Sequence, residues 1–198
     1  MTNKLNPVIA ESDLSKIKNL KTSKAARFEN INTISHLDGV EHINVDSVRG
    51  KTPLGKLLAN FSRTPFTHPE YGPFASIEGF WYWIRMEQPD DALRSLHGGK
   101  ARKYGKSLNN FIFINNFKEE IIKAILYKVL QNDNIFDLMV ESTLPFKYYY
   151  LHGPHNIEIT PDFAGWMCDG LEQIRTYIKE QGKKPTESFV YKEFKRAN

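Results

Sequence analysis

NFSRTPFTHPEYGPFASIEGFWYWIR, residues Asn60 to Arg85, sets the carboxylate of Glu78 among aromatic side chains directly after a turn-rich loop. Pro65, Pro69, Gly72 and Pro73 are dense breakers, so the sequence predicts no regular structure there, only a loop with backbone groups free to face a ligand. From Ser76 the pattern turns helical. Ser is a favoured N-cap, Glu78 falls in the first turn where the helix dipole favours negative charge, and no breaker follows between Phe80 and Gln88. On such a helix Glu78, Trp81, Tyr82 and Arg85 share one side, while Ile77, Phe80 and Ile84 share the other. The aliphatic side is expected in the core. The carboxylate side reads either as a site or as interfacial core, with Glu78 pairing with Arg85 or capping its own helix.

At 198 residues, 40% apolar and 13% aromatic, the chain has the length and composition of one folded domain. A basic arm is expected over residues 1–26, with at most a short helix at Ser12 to Leu20, and the domain over 27–198. The lone Cys168 excludes an internal disulfide framework, and its apolar helical surroundings predict a buried thiol rather than a nucleophile. No Cys/His group has zinc spacing, no apolar run is long enough to span a membrane, and the polar, Lys-rich start carries no secretory signal, which predicts a cytoplasmic protein. The net charge of +4 tolerates a polyanionic partner without demanding one. Its Lys and Arg gather at both ends and at Lys100, Arg102, Lys103 and Lys106, where Gly98, Gly99 and Gly105 are interleaved.

Outward from the opening stretch, Glu41 to Arg49 alternates as a strand and Gly50 to Gly55 reads as the turn that ends it. Asp90 to Leu96 is a short helix, and the segment through Lys106 is either a helix with glycines or a loop. Phe117 to Leu130 is the strongest helix, its Ile121, Ile125, Leu126 and Val129 belonging to a wide apolar stripe directed to the core. Phe146 to Leu151, FKYYYL, has strand composition. Thr160 and Pro161 signal the N-cap and first position of a helix that buries Phe163, Trp166, Met167, Leu171, Ile174 and Ile178; Gly182 to Pro185 closes it, and a terminal helix follows over Thr186 to Arg196. The fold class expected is α+β, mainly helical, with a few short strands.

Asn-Phe-Ser at 60–62, Pro-Phe at 65–66 and Ser-x-Glu-x-x-Trp at 76–81 resemble the opening motifs of the NADAR/YbiA-like family, with Phe74 standing near that family's Trp. Downstream, Arg94 to Lys106, the helix near 117–131 and NDNIFDLMVEST at Asn132 to Thr143 are similar to its later segments in the same order. One motif departs. Laying Gly153 on the Gly of the family's D-x-x-W-G puts Tyr149 where the acid belongs and His152 where the Trp belongs, unless Glu158 or Asp162 reaches that place by a shifted loop.

The resemblance implies a single YbiA-like domain with N-glycosidase activity: members remove ADP-ribose from guanine bases of nucleic acid, and others cleave early riboflavin-pathway intermediates. It places Glu78 as the catalytic residue, and it implies substrate contacts from Asn60, Phe61, Ser62, Arg63, Phe74, Trp81, Tyr82, Arg85, Lys100, Arg102, Lys103, Tyr149 and His152. Asn60 and Ser62 also read as turn caps that only shape the loop. In that setting the Gly/Lys/Arg segment suits a pyrophosphate, and the basic arm favours a nucleic-acid strand over a riboflavin precursor. The partner expected is ADP-ribosylated nucleic acid, DNA first, with ADP-ribose as product, no cofactor, no metal and a monomeric enzyme that reverses modification by a DarT-like toxin in a cell or an infecting phage. A carboxylate at a helix N-terminus is expected to stay ionised, which suits stabilising a ribosyl cation and orienting water. Competing readings are a noncatalytic module that binds ADP-ribose or nucleic acid, and a toxin-inhibiting protein that uses FKYYYL as an exposed aromatic patch.

Overall fold

The structure, a computed structural model, describes residues 34–153 and 156–181. The expected 1–26 arm, its Ser12–Leu20 helix and the Thr186–Arg196 helix lie outside them. The described residues fold as α+β, mainly helical: α1 (Pro53–Leu58), α2 (Ile77–Trp83), α3 (Gly98–Leu108), α4 (Phe117–Gln131), α5 (Asp133–Glu141) and α6 (Ala164–Gln181), with short strands β1 (Ile43–Asn44), β2 (Phe66–His68), β3 (Gly72–Phe74), β4 (Phe146–Lys147), β5 (Tyr150–His152) and β6 (Ile157–Ile159). None of these helices is long and apolar enough to cross a membrane.

The apolar stripe of α4 lies at the centre. Ile121, Ala124, Ile125, Leu126 and Val129 are buried, and β2, α2, α5 and α6 pack around them. Gly170 lets α6 approach closely, since a Cβ there would stand 2.1 Å from Ile122 Cδ1.

The breakers at 65–73 do not exclude regular structure; they build a hairpin. β2 and β3 pair antiparallel with Phe66 opposite Phe74, Gly72 takes φ 78°, and Pro73 sits at an exposed position. Those two rings stack at 6.0 Å and pin the hairpin to the core. Likewise, Gly50 to Gly55 is not only a turn. Thr52 caps α1 by accepting from the Gly55 N–H, Pro53 occupies its first turn, and a Cβ on Gly55 would meet the Asn44 carbonyl of β1 at 2.2 Å. The same Thr-Pro signal at 160–161 starts its helix one turn later than expected, at Ala164, whose N–H donates to Pro161 O.

Both expected strands are shortened because the chain changes partners. Of Glu41 to Arg49 only Ile43–Asn44 enters a sheet, parallel to β4, with His42 in a lone bridge to Asp38; FKYYYL breaks at Tyr148–Tyr149, after which β5 pairs with β6. With Tyr148 and Tyr149 buried, FKYYYL is not an exposed patch.

Lys128 of α4 is fully buried and donates to the Leu58 and Ala59 carbonyls, each at 3.1 Å, so it caps the C-terminal end of α1 just before Asn60. Burial pushes its ammonium down to about 7. With the unfolded group ordinary and the folded one depressed, the folded state binds fewer protons between about pH 7 and 10.5, and stability rises across that window. Thermal unfolding of wild type beside Lys128→Met should show that rise in the wild type and a flatter profile in the variant; parallel profiles would refute it.

Candidate active site

Ser76 fixes the start of α2 from both sides. Its Oγ accepts from Gly79 N at 3.0 Å and donates to Leu96 O at 2.9 Å, while the bare Gly79 lies under the Leu93 carbonyl, which a Cβ would meet at 2.4 Å. Glu78 is held in this first turn by its own N–H, which donates to Asn60 O at 2.9 Å. The N-cap expectation holds. The expectation that the dipole keeps Glu78 ionised does not, because its side chain is buried, and burial pushes the carboxyl up to about 7 against the opposing pull of Arg102 and Lys106. Those cations, not Arg85, are its charged neighbours.

Both come from α3, which is a continuous helix through its glycines. Arg102 and Lys106 lie four residues apart on one face. Gly105, between them in sequence, is not a phosphate contact: it seats α3 against Tyr82 of α2, where a Cβ would stand 2.2 Å from the ring. Burial raises the Tyr82 hydroxyl to about 12, and the nearby Glu78 adds to the rise.

The remaining wall comes from the YYY run. Burial raises Tyr148 and Tyr150, and both feel the charge of Glu78. The Asn60 backbone N–H donates to the Tyr148 hydroxyl, which donates to Tyr150. Asn60 thus joins the carboxylate turn to the tyrosine pair, and its own side-chain Oδ1 is buried without a hydrogen-bond partner among the described residues. A buried amide oxygen without a partner, one backbone hydrogen bond away from the turn that carries Glu78, is unusual enough to mark the place.

The structure therefore brings together Asn60, Glu78, Tyr82 and Arg102 from the expected set. Tyr149 points the other way, its hydroxyl 2.8 Å from His42 Nε2 and its N–H donating to Asn44 Oδ1. Period-two alternation explains the correction: neighbours 148 and 150 face Glu78, and His152, two residues on, stands exposed with its ring edge-on to Tyr150 at 6.4 Å. The same alternation was the signal that points to Tyr148 and Tyr150, and helical spacing from Arg102 was the signal for Lys106.

Other expected residues lie elsewhere. Phe74 is buried in the core against Phe66, Phe80 and Trp83, with Arg94 over its face, leaving nothing for a base to stack on. Ser62 donates to Lys56 O and shapes the end of α1. Arg63 is exposed beside a separate shallow hollow with Arg94 and Ser95. Phe61 is half-buried, its carbonyl near Gly98 at the start of α3, on which Lys100 and Lys103 are exposed. Trp81 and Arg85 turn toward a second, aromatic cavity. Cys168 is half-buried rather than enclosed, and burial raises its thiol to about 11, which keeps it protonated and unreactive.

No family model matches the chain. No curated protein matches it either. Among solved structures, the NMR structure of the E. coli protein YbiA is similar, at 13% sequence identity and a TM-score of 0.46, covering 73% of this chain and 89% of that one. A likeness of that degree leaves the chemistry to rest on the residues around Glu78.

Proposed function

We propose that the chain is an N-glycosidase that hydrolyses the bond between ADP-ribose and a guanine base of nucleic acid. The observation that carries this reading is the buried Glu78 carboxyl, raised to about 7, set among tyrosines and facing Arg102 and Lys106. Cleavage at an anomeric carbon develops positive charge on the ribose ring, so a carboxylate held in a low-dielectric pocket stabilises that charge far more than it would in water. Glu78 takes the proton of the attacking water, the oxygen bonds to the anomeric carbon, and the electron pair of the C–N bond leaves with the guanine nitrogen. The proton then passes from Glu78 to that nitrogen or to solvent, and the carboxylate is restored.

Arg102 and Lys106 supply charge for a pyrophosphate, and the unpartnered Asn60 Oδ1 accepts from a ribose hydroxyl. Tyr150 and the exposed His152 offer ring faces for the base. The motif resemblance to the NADAR/YbiA-like family supports the same bond class and a role in reversing modification by a DarT-like toxin.

A base that must be ionised loses activity as pH falls through its pKa. For free enzyme, kcat/KM for ADP-ribose release should therefore rise with pH through about 7. A bound pyrophosphate offsets the two cations that hold the Glu78 pKa down, so the acid limb of kcat should lie at higher pH than that of kcat/KM. Rates measured from pH 5.5 to 9 on an ADP-ribosylated oligonucleotide test this. Activity that falls as pH rises through 7 would assign Glu78 the acid role instead.

A further inference from the structure

Beyond the Glu78 cluster, a cavity of about 300 Å³ opens between α2, α4, α6 and the loop joining α3 to α4. Its walls are rings. Trp81 and Trp166 lie nearly parallel, 12° apart in plane with centroids separated by 6.0 Å; Phe117 stands edge-on to Trp81 at 4.7 Å, and Phe163 is 5.2 Å from it. Phe113, at 88% exposure, forms an outer lip that the fold does not cover. Cations stand over the rings: Arg85 over Phe117 at 5.4 Å and Lys118 over Trp166 at 5.9 Å.

A pocket serving only the core would bury these rings and need neither cation. A wholly apolar docking face would carry no cation, and here Arg85 and Lys118 both stand at the lining. Flat aromatic walls with positive charge at the edge are the combination that holds a base by stacking and its phosphate by charge. The cavity also adjoins the residues around Glu78. Tyr148, which feels the Glu78 charge, packs edge-on against Phe163 at 5.2 Å, and Trp81 follows Glu78 by three residues on α2.

We infer that this cavity binds an unmodified nucleobase of a single-stranded nucleic acid, the neighbour of the base presented to Glu78. It rests on the nucleic-acid half of the function proposed above. Because strand binding is read without turnover, a failure of catalysis and a failure of this inference show up separately.

The probe is an unmodified ten-nucleotide thymidine DNA strand. Two of the three tryptophans line the cavity, while Trp83 packs against Phe74 and Tyr71, so stacking should quench intrinsic fluorescence, and a Trp83→Phe background should keep the quench. Phe113→Ser, on an exposed side chain that the fold does not need, should weaken binding about fivefold or more; Trp166→Ala should weaken it further and remove much of the quench. Lys118→Ala should weaken binding and flatten its dependence on salt. Binding of the strand that Phe113→Ser and Trp166→Ala leave unchanged overturns the inference. So does thymidine monophosphate quenching at the same concentration as the strand, which would make the cavity a mononucleotide site, or blunt-ended duplex binding as tightly as the single strand.

Discussion

Glu78→Gln should abolish ADP-ribose release while making the protein more stable. The catalytic loss expected for removing a positioned acid–base carboxylate is about 10²- to 10⁴-fold. The stability gain follows from the raised carboxyl. In the unfolded chain Glu78 ionises near 4.5, in the fold near 7, so between those values the folded state holds the extra proton and stability falls as pH rises. Above about pH 7 both states are ionised and the full cost of the buried charge is present, about 3 kcal/mol for a shift of that size. Gln keeps the shape and removes the charge. At pH 8 the variant should melt roughly 5–10 °C above wild type, and the gap should close below about pH 4.5. A variant less stable than wild type at pH 8 would mean the carboxylate is held by partners that outweigh its burial.

Gly105→Ala should damage the site without replacing any group in it. The added methyl would overlap the Tyr82 ring, with Cγ at 2.2 Å and Cβ at 2.7 Å, and neither can retreat because Tyr82 is buried between helices. The helices must separate, at a cost of about 1–3 kcal/mol for overpacking a filled core. Moving α3 carries Arg102 and Lys106 away from Glu78. With less opposing charge, the Glu78 carboxyl should titrate higher still, so the acid limb of kcat/KM in Gly105→Ala should move to higher pH than in wild type. Gly99→Ala, on the same helix where a Cβ meets nothing within 4 Å, should leave both stability and the limb close to wild type. Equal damage from the two substitutions would refute helix approach as the role of Gly105.

The elements that declared themselves in the sequence were those whose signals are local. Ser76 before an apolar-periodic run gave α2 its cap and register, and the stripe on Phe117 to Leu130 gave α4 to within one residue of its end. The hairpin at 66–74 and helix α1 were hidden because Pro and Gly mark turns within paired structure as readily as they mark loops. Site residues divided along the same line. Glu78 and Asn60 sit in one contiguous stretch and were visible together. The tyrosine wall was misassigned by one residue, and in a strand one residue is the whole difference between facing Glu78 and facing His42. The protonation of Glu78 was illegible because local sequence shows the helix dipole but not the burial that outweighs it. Phe74 looked like a stacking surface for the same reason, since nothing near it in sequence shows that Phe66, Phe80 and Trp83 close over it.

The cleavage proposed for Glu78 is of an N-glycosidic bond. It is tested most directly by incubating a single-stranded oligonucleotide carrying ADP-ribose on one guanine with wild type and with Glu78→Gln, and following both products by mass spectrometry. Intact ADP-ribose and an intact unmodified strand are expected from the wild type at pH 8, and neither from Glu78→Gln although it binds the same strand. Release by both proteins at equal rates, or a wild type that binds the modified strand and leaves it whole, would contradict it.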